Sequence, residues 1–197
     1  MCKQLQINRF IAWVTVLLVA ACASTEPTPS VRENLVPLTG VTITFSNRPL
    51  ILYRDNSGRA AYAKDYLHMG PVQVNRSGTY QYYLWMAGWS TMQSASSLEQ
   101  LESLESIVIF ADGEPLLLDL AGRTPGAIGA SEPVYLKPTA SAVEAYYRVT
   151  ADQIRLIAEA GEISLRTSEA YPREYGLWDD QQGAKSDLLA FIRQAFF

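Results

Sequence analysis

The side chains best suited to chemistry in this 197-residue chain are few and scattered. His68, the single histidine, stands in "DYLHMGP" three residues after Asp65, and such a pair would serve as half of a proton relay. A hydrolase built around His68 would also need an activated nucleophile. "AGWST" (87–91) has part of a nucleophile elbow, but Met92 stands where that motif needs its final glycine. Carboxylates occur as Asp112 with Glu114 and as Asp179 with Asp180. A glycosidase holds two carboxyl groups roughly 5–9 Å apart across a cleft. Here Asp112 precedes Gly113 in a turn signal, and Asp179 suits a helix start. One histidine and no cysteine after residue 22 assemble no zinc or iron–sulfur ligand set, so neither a metal site nor a cofactor is expected. The expectation is a non-catalytic protein, with a hydrolase near His68 kept as an alternative.

The densest feature is "TYQYYLWMAGWSTM" (79–92). Strand alternation sends Tyr80, Tyr82, Leu84 and Met86 to one face and Tyr83 and Trp85 to the other, with Trp89 beyond Gly88. Tyr83, Trp85 and Trp89 would suit a platform for a sugar ring, as a peptidoglycan or other glycan binder needs, or the anchors of a protein interface. The same residues equally suit a central strand covered on both faces.

The elements that must position these residues read mainly as strands. "VTITFS" (41–46) alternates Val41, Ile43 and Phe45 with Thr42, Thr44 and Ser46. Further strands are expected at 50–54, 70–74, 79–87, 107–111, 115–120, 133–137, 144–149 and 162–167. Asp112-Gly113 marks a hairpin, and "NRSG" (75–78) marks a second turn. Helical spacing recurs at 96–106, at 151–160 and at 184–197. The second of these carries a Thr150–Gln153 capping box and a Gly161 stop. The expected fold is an antiparallel β-sandwich or barrel-like domain with a short helix near 151–160 and a C-terminal helix.

A hydrophobic fraction of 48% against 18% charged residues suits a folded chain with a sizeable core. The net charge of −4 argues against nucleic acid, which demands a basic footprint. The first nine residues carry Lys3 and Arg9 and no acid, and an apolar run follows at 10–20. That run is too short to cross a bilayer core of about 30 Å. A charged start, a short apolar run and a small-residue end make a secretory signal peptide, expected at 1–21. At its end Val19-Ala20-Ala21-Cys22 resembles the bacterial lipobox.

The resemblance covers the first twenty-odd residues and implies cleavage before Cys22 and acylation of its sulfur and new amino group. Each buried acyl CH₂ contributes about 0.8 kcal/mol, so several chains on one residue anchor it firmly. Cleavage would leave 14 basic against 20 acidic side chains, net −6. Residues 22–37, rich in proline and polar spacers, are expected to form a lipidated tether, and 38–197 a single β-rich domain. Ala23 after the cysteine, by the same resemblance and in a Gram-negative host, implies sorting to the outer membrane, facing the periplasm. The expected role is binding, scaffolding or envelope assembly, with envelope proteins or peptidoglycan as partners.

Overall fold

A computed structural model describes residues 28–37, 39–56, 62–92, 103–170 and 172–196. The segment expected as a signal peptide (1–21), Cys22 and most of the helix expected at 96–106 lie outside the described residues.

Ten strands appear among the described residues: β1 (Val31–Val36), β2 (Val41–Ser46), β3 (Leu50–Asp55), β4 (Lys64–Arg76), β5 (Thr79–Ser90), β6 (Ile107–Ala111), β7 (Glu114–Gly122), β8 (Val143–Val149), β9 (Ile163–Thr167) and β10 (Glu174–Leu177). Two α-helices join them, α1 (Ala151–Glu159) and α2 (Gln182–Ala195). Eight strands close an antiparallel barrel in the order β4–β3–β10–β9–β6–β7–β8–β5 and back to β4. Two tight turns set the register. Ser77 and Gly78 (φ 51° and 89°) join β4 to β5, and Asp112 and Gly113 (φ 49° and 84°) join β6 to β7. Positive φ at both central residues matches the right-handed twist of the flanking strands.

The hairpin of β4 and β5 outruns the barrel. β3 pairs with residues 64–69 of β4, and β2 takes residues 72–75 along the same edge. With β1 against β2, these strands form an apron continuous with the barrel wall. Where wall and apron meet, alternation builds two cores on opposite faces. Leu67, Met69, Leu84, Met86, Ile109, Tyr147 and Leu165 fill the barrel. Ile154, Ile157 and Ala158 of α1 and Leu188, Phe191 and Ile192 of α2 join that cluster and close it. An eight-stranded barrel is about wide enough for side chains to fill, and these do. Outside, Val41, Ile43, Phe45, Val72, Val74 and Trp85 form a second cluster under Ile128, Ala130, Val134 and Tyr135.

Local signals place the helices. Thr150 accepts from the Gln153 backbone N–H at 3.1 Å while the Gln153 side chain accepts from the Thr150 N–H at 2.8 Å. Helix α2 is fastened by Arg48, whose guanidinium donates to both Asp187 carboxylate oxygens at 2.7 and 3.0 Å.

Two expectations need correction. Residues 133–137 form no strand: Pro133 and Pro138 remove backbone donors, and Tyr135 is used instead to roof the outer cluster. Strand β1 begins at Val31, inside the segment 22–37 expected as tether, so the domain starts before residue 38. Prolines at 29 and 37 frame this strand and give it the look of a linker. β10 also went unforeseen, because four residues are too few to display an alternation.

Candidate functional site

Asp65 and His68 lie on opposite faces of β4. Asp65 turns inward, where Arg54 meets it at 2.5 Å and the Asn56 amide donates to both carboxylate oxygens at 3.2 Å. Burial pushes its carboxyl upward, but hydrogen bonds from Ser90 and Asn56 and the Arg54 charge outweigh that and hold it below the ordinary range. His68 faces out between Ile51 and Ala87, its register partners, and burial lowers its pKa. The pair therefore forms no relay, and Ser90, the serine of "AGWST", bonds to Asp65.

The other carboxylates are structural or solvated. Asp112 accepts the Gly161 and Glu162 backbone N–H groups at 3.1 and 2.8 Å, and these bonds depress its pKa. Asp179 and Asp180 are exposed. Among the described residues no three His, Cys, Asp or Glu side chains are grouped to hold a metal ion.

The three aromatic candidates separate. Trp85 is fully buried; its Nε1 donates to Glu144 Oε1 at 2.6 Å, and its ring stacks on Tyr135 at 4.7 Å. The Tyr146 hydroxyl donates to the same Glu144 oxygen at 2.8 Å. Tyr83 is buried beside them, its hydroxyl donating to Gln81 Oε1 at 3.1 Å. Neither ring offers a face to a ligand. Trp89 belongs to a different group, a strip of upright rings on the outer wall. It stacks on Tyr66 at 4.7 Å, and Tyr66 stacks on Trp178 at 5.1 Å. Trp178 leans on Tyr53 at 5.5 Å, and Lys64 Nζ sits 4.7 Å from the Tyr53 ring centre. Stacked this way, the rings mostly cover one another's faces. Trp178, 40% exposed, is the strip's open end.

A second surface feature emerges where the apron's inner face runs beyond the barrel core. The register aligns Glu33, Thr44, Gln73 and Tyr82 in one row across β1, β2, β4 and β5. Leu35, Thr42, Asn75 and Tyr80 form the next row. The C-terminal end of α2 walls one side with Gln194, Ala195 and Phe196, enclosing a groove of about 410 Å³. Thr44 and Gln73 are buried, and the Gln73 amide donates to the Ala195 carbonyl at 2.6 Å. Tyr82 and Phe196 meet edge to face at 5.1 Å. Part of this groove carried a sequence signal: Tyr80 and Tyr82 share a face, and Thr42 and Thr44 oppose the apolar side of β2. Their meeting with Phe196 did not, since it depends on pairing across four strands and on a helix end that joins Gln73 through Ala195, 122 residues further along the chain.

Protein-family models, curated proteins and solved structures were compared with the chain, and none matches it.

Proposed function

We propose that the chain is an outer-membrane lipoprotein, anchored through Cys22, that holds its barrel in the periplasm and acts by binding envelope partners, without catalysis. The observation that carries this proposal is the lipobox-like Val19-Ala20-Ala21-Cys22 followed so soon by a folded body. Strand β1 starts nine residues after Cys22, which even fully extended span at most about 30 Å. The body would thus work close to the lipid surface, while its expected net charge of −6 disfavours lying flat on anionic headgroups. A barrel packed with its own side chains supports contact through its outer surfaces instead of its interior.

Replacing Cys22 by Ser and fractionating the envelope tests the anchor. The expected result is an unacylated chain released from the membrane; a variant still membrane-bound and acylated would overturn the proposal. Crosslinking the native chain in cells and identifying its neighbours then tests the binding role, with captured envelope components expected.

The glycan-binding alternative cannot use Tyr83 and Trp85 as a platform, because both are buried beneath the outer roof. The rings still open to a ligand are at the strip's Trp178 end and in the apron groove.

A further inference from the structure

We infer that the apron groove is a binding site for a neutral saccharide, seated between the β1–β2–β4–β5 face and the end of α2. This deepens the proposal that the body acts by binding and rests on it, by naming a ligand class and a place.

The floor carries the chemistry. Thr42 and Thr44 line the floor with hydroxyls, and Gln73 and Asn75 line it with amides, groups that both donate and accept hydrogen bonds. Of these, Asn75 Oδ1 already accepts from the Gly78 N–H at 2.8 Å and the Gln73 amide already donates to Ala195. A ring bearing several hydroxyls needs that dual capacity from its site. Thr44 and Gln73, at 4% and 5% exposure, are covered by the packed end of α2 and form the base of the groove, behind Thr42 and Asn75. The Ala195 carbonyl fixes the Gln73 amide, so the floor is pre-oriented.

The walls supply the apolar half of sugar recognition. Tyr80 is 53% exposed, an aromatic side chain open to solvent at the groove and of the kind that stacks on the C–H face of a pyranose. Tyr82 and Phe196 make a corner beside it. A volume of about 410 Å³ lies in the range of small-molecule sites. Among the described residues that line the groove there is no lysine or arginine, and Glu33 is the one acidic side chain, so these residues offer no anion recognition.

Titration calorimetry on the full chain, purified in detergent, decides the matter with three probes: maltotetraose, cellotetraose and the tetramer of N-acetylglucosamine. At least one is expected to bind. Tyr80→Ala, at an exposed position that leaves the core intact, should weaken that binding about tenfold. Thr42→Val, which keeps shape and removes a hydroxyl, should weaken it as well, while Trp178→Ala leaves it unchanged. Absence of heat with all three probes would overturn the inference. So would binding that survives both groove variants and disappears in Trp178→Ala, which would move the site to the outer strip. Neither result touches the membrane anchor, which the Cys22→Ser fractionation tests on its own.

Discussion

A Cβ built on Gly70 would stand 2.5 Å from the ring of Tyr135: the tyrosine occupies the space that a side chain at position 70 would need. Tyr135 comes from the irregular roof between β7 and β8. Its hydroxyl donates to the Pro71 carbonyl at 3.0 Å and meets Ser46 Oγ at 3.0 Å. Its ring stacks on Trp85 and touches Phe45 edge-on at 5.2 Å. A glycine within β4 thus makes the socket that docks the roof on the wall.

Gly70→Ala should therefore destabilise the fold by about 1–3 kcal/mol through overpacking. Combining it with Tyr135→Leu, which vacates part of the socket, should cost less than the two changes added together. Urea denaturation of the two single variants and the double variant gives the coupling. Strict additivity would show that the ring does not press on position 70.

Trp85 is buried on the outer face yet keeps a polar bond to Glu144. Trp85→Phe should cost about 1–3 kcal/mol, since it removes that donor and leaves a gap beside Tyr135. Trp85→Ala should cost about 3–5 kcal/mol. Comparable unfolding midpoints for wild type and Trp85→Ala would mean that the roof does not seal this cluster.

The carboxylates of Asp65 and Asp187 give stability a dependence on acid. Burial pushes Asp187 upward, but hydrogen bonds from Arg48 and Ser30 and the Arg48 charge hold it below the ordinary 3.8. Asp65 is depressed in the same sense. A depressed folded-state value means that the unfolded chain binds protons first. The stabilisation is full above the unfolded value and is lost as pH falls through the folded one. Asp65→Asn should cost about 2 kcal/mol at neutral pH. It should also flatten the decline in melting temperature below about pH 5. An unchanged acid limb would place the acid sensitivity elsewhere.

His68 titrates in a different window. Burial lowers its folded-state pKa below the ordinary 6.5, so protonation favours the unfolded chain. Its contribution is full above 6.5 and diminishes as pH drops from there towards the folded value. His68→Gln should remove the part of the stability slope between about pH 7 and 5 that is due to this residue. Thermal melts across that range measure it. If envelope phenotypes of a deletion strain are rescued fully by this variant, the hydrolase alternative fails with them.

Much of the fold was legible because its signals are local. Val41, Ile43 and Phe45 alternate within six residues, Asp112-Gly113 needs only its own backbone to turn, and Thr150 caps the nearby Gln153. Each signal is complete within one element, so adjacent residues suffice to recognise it. The candidate site was legible only in fragments. Tyr80 and Tyr82 are visibly on one face, but Trp85 and Trp89 lie in the same strand and their different surroundings come from segments far away.

From its own residues the chain determined strand content, two turns, the capped helix and the apolar faces, since side-chain periodicity and backbone preference act at short range. Tertiary structure alone decided that the sheet closes into a barrel, because β5 must find β8 and β3 must find β10, each a strand far along the chain. It also decided which aromatic rings are sealed and which polar rows share a groove. Those outcomes depend on register between strands and on what packs over each face, and contacts between distant segments set both.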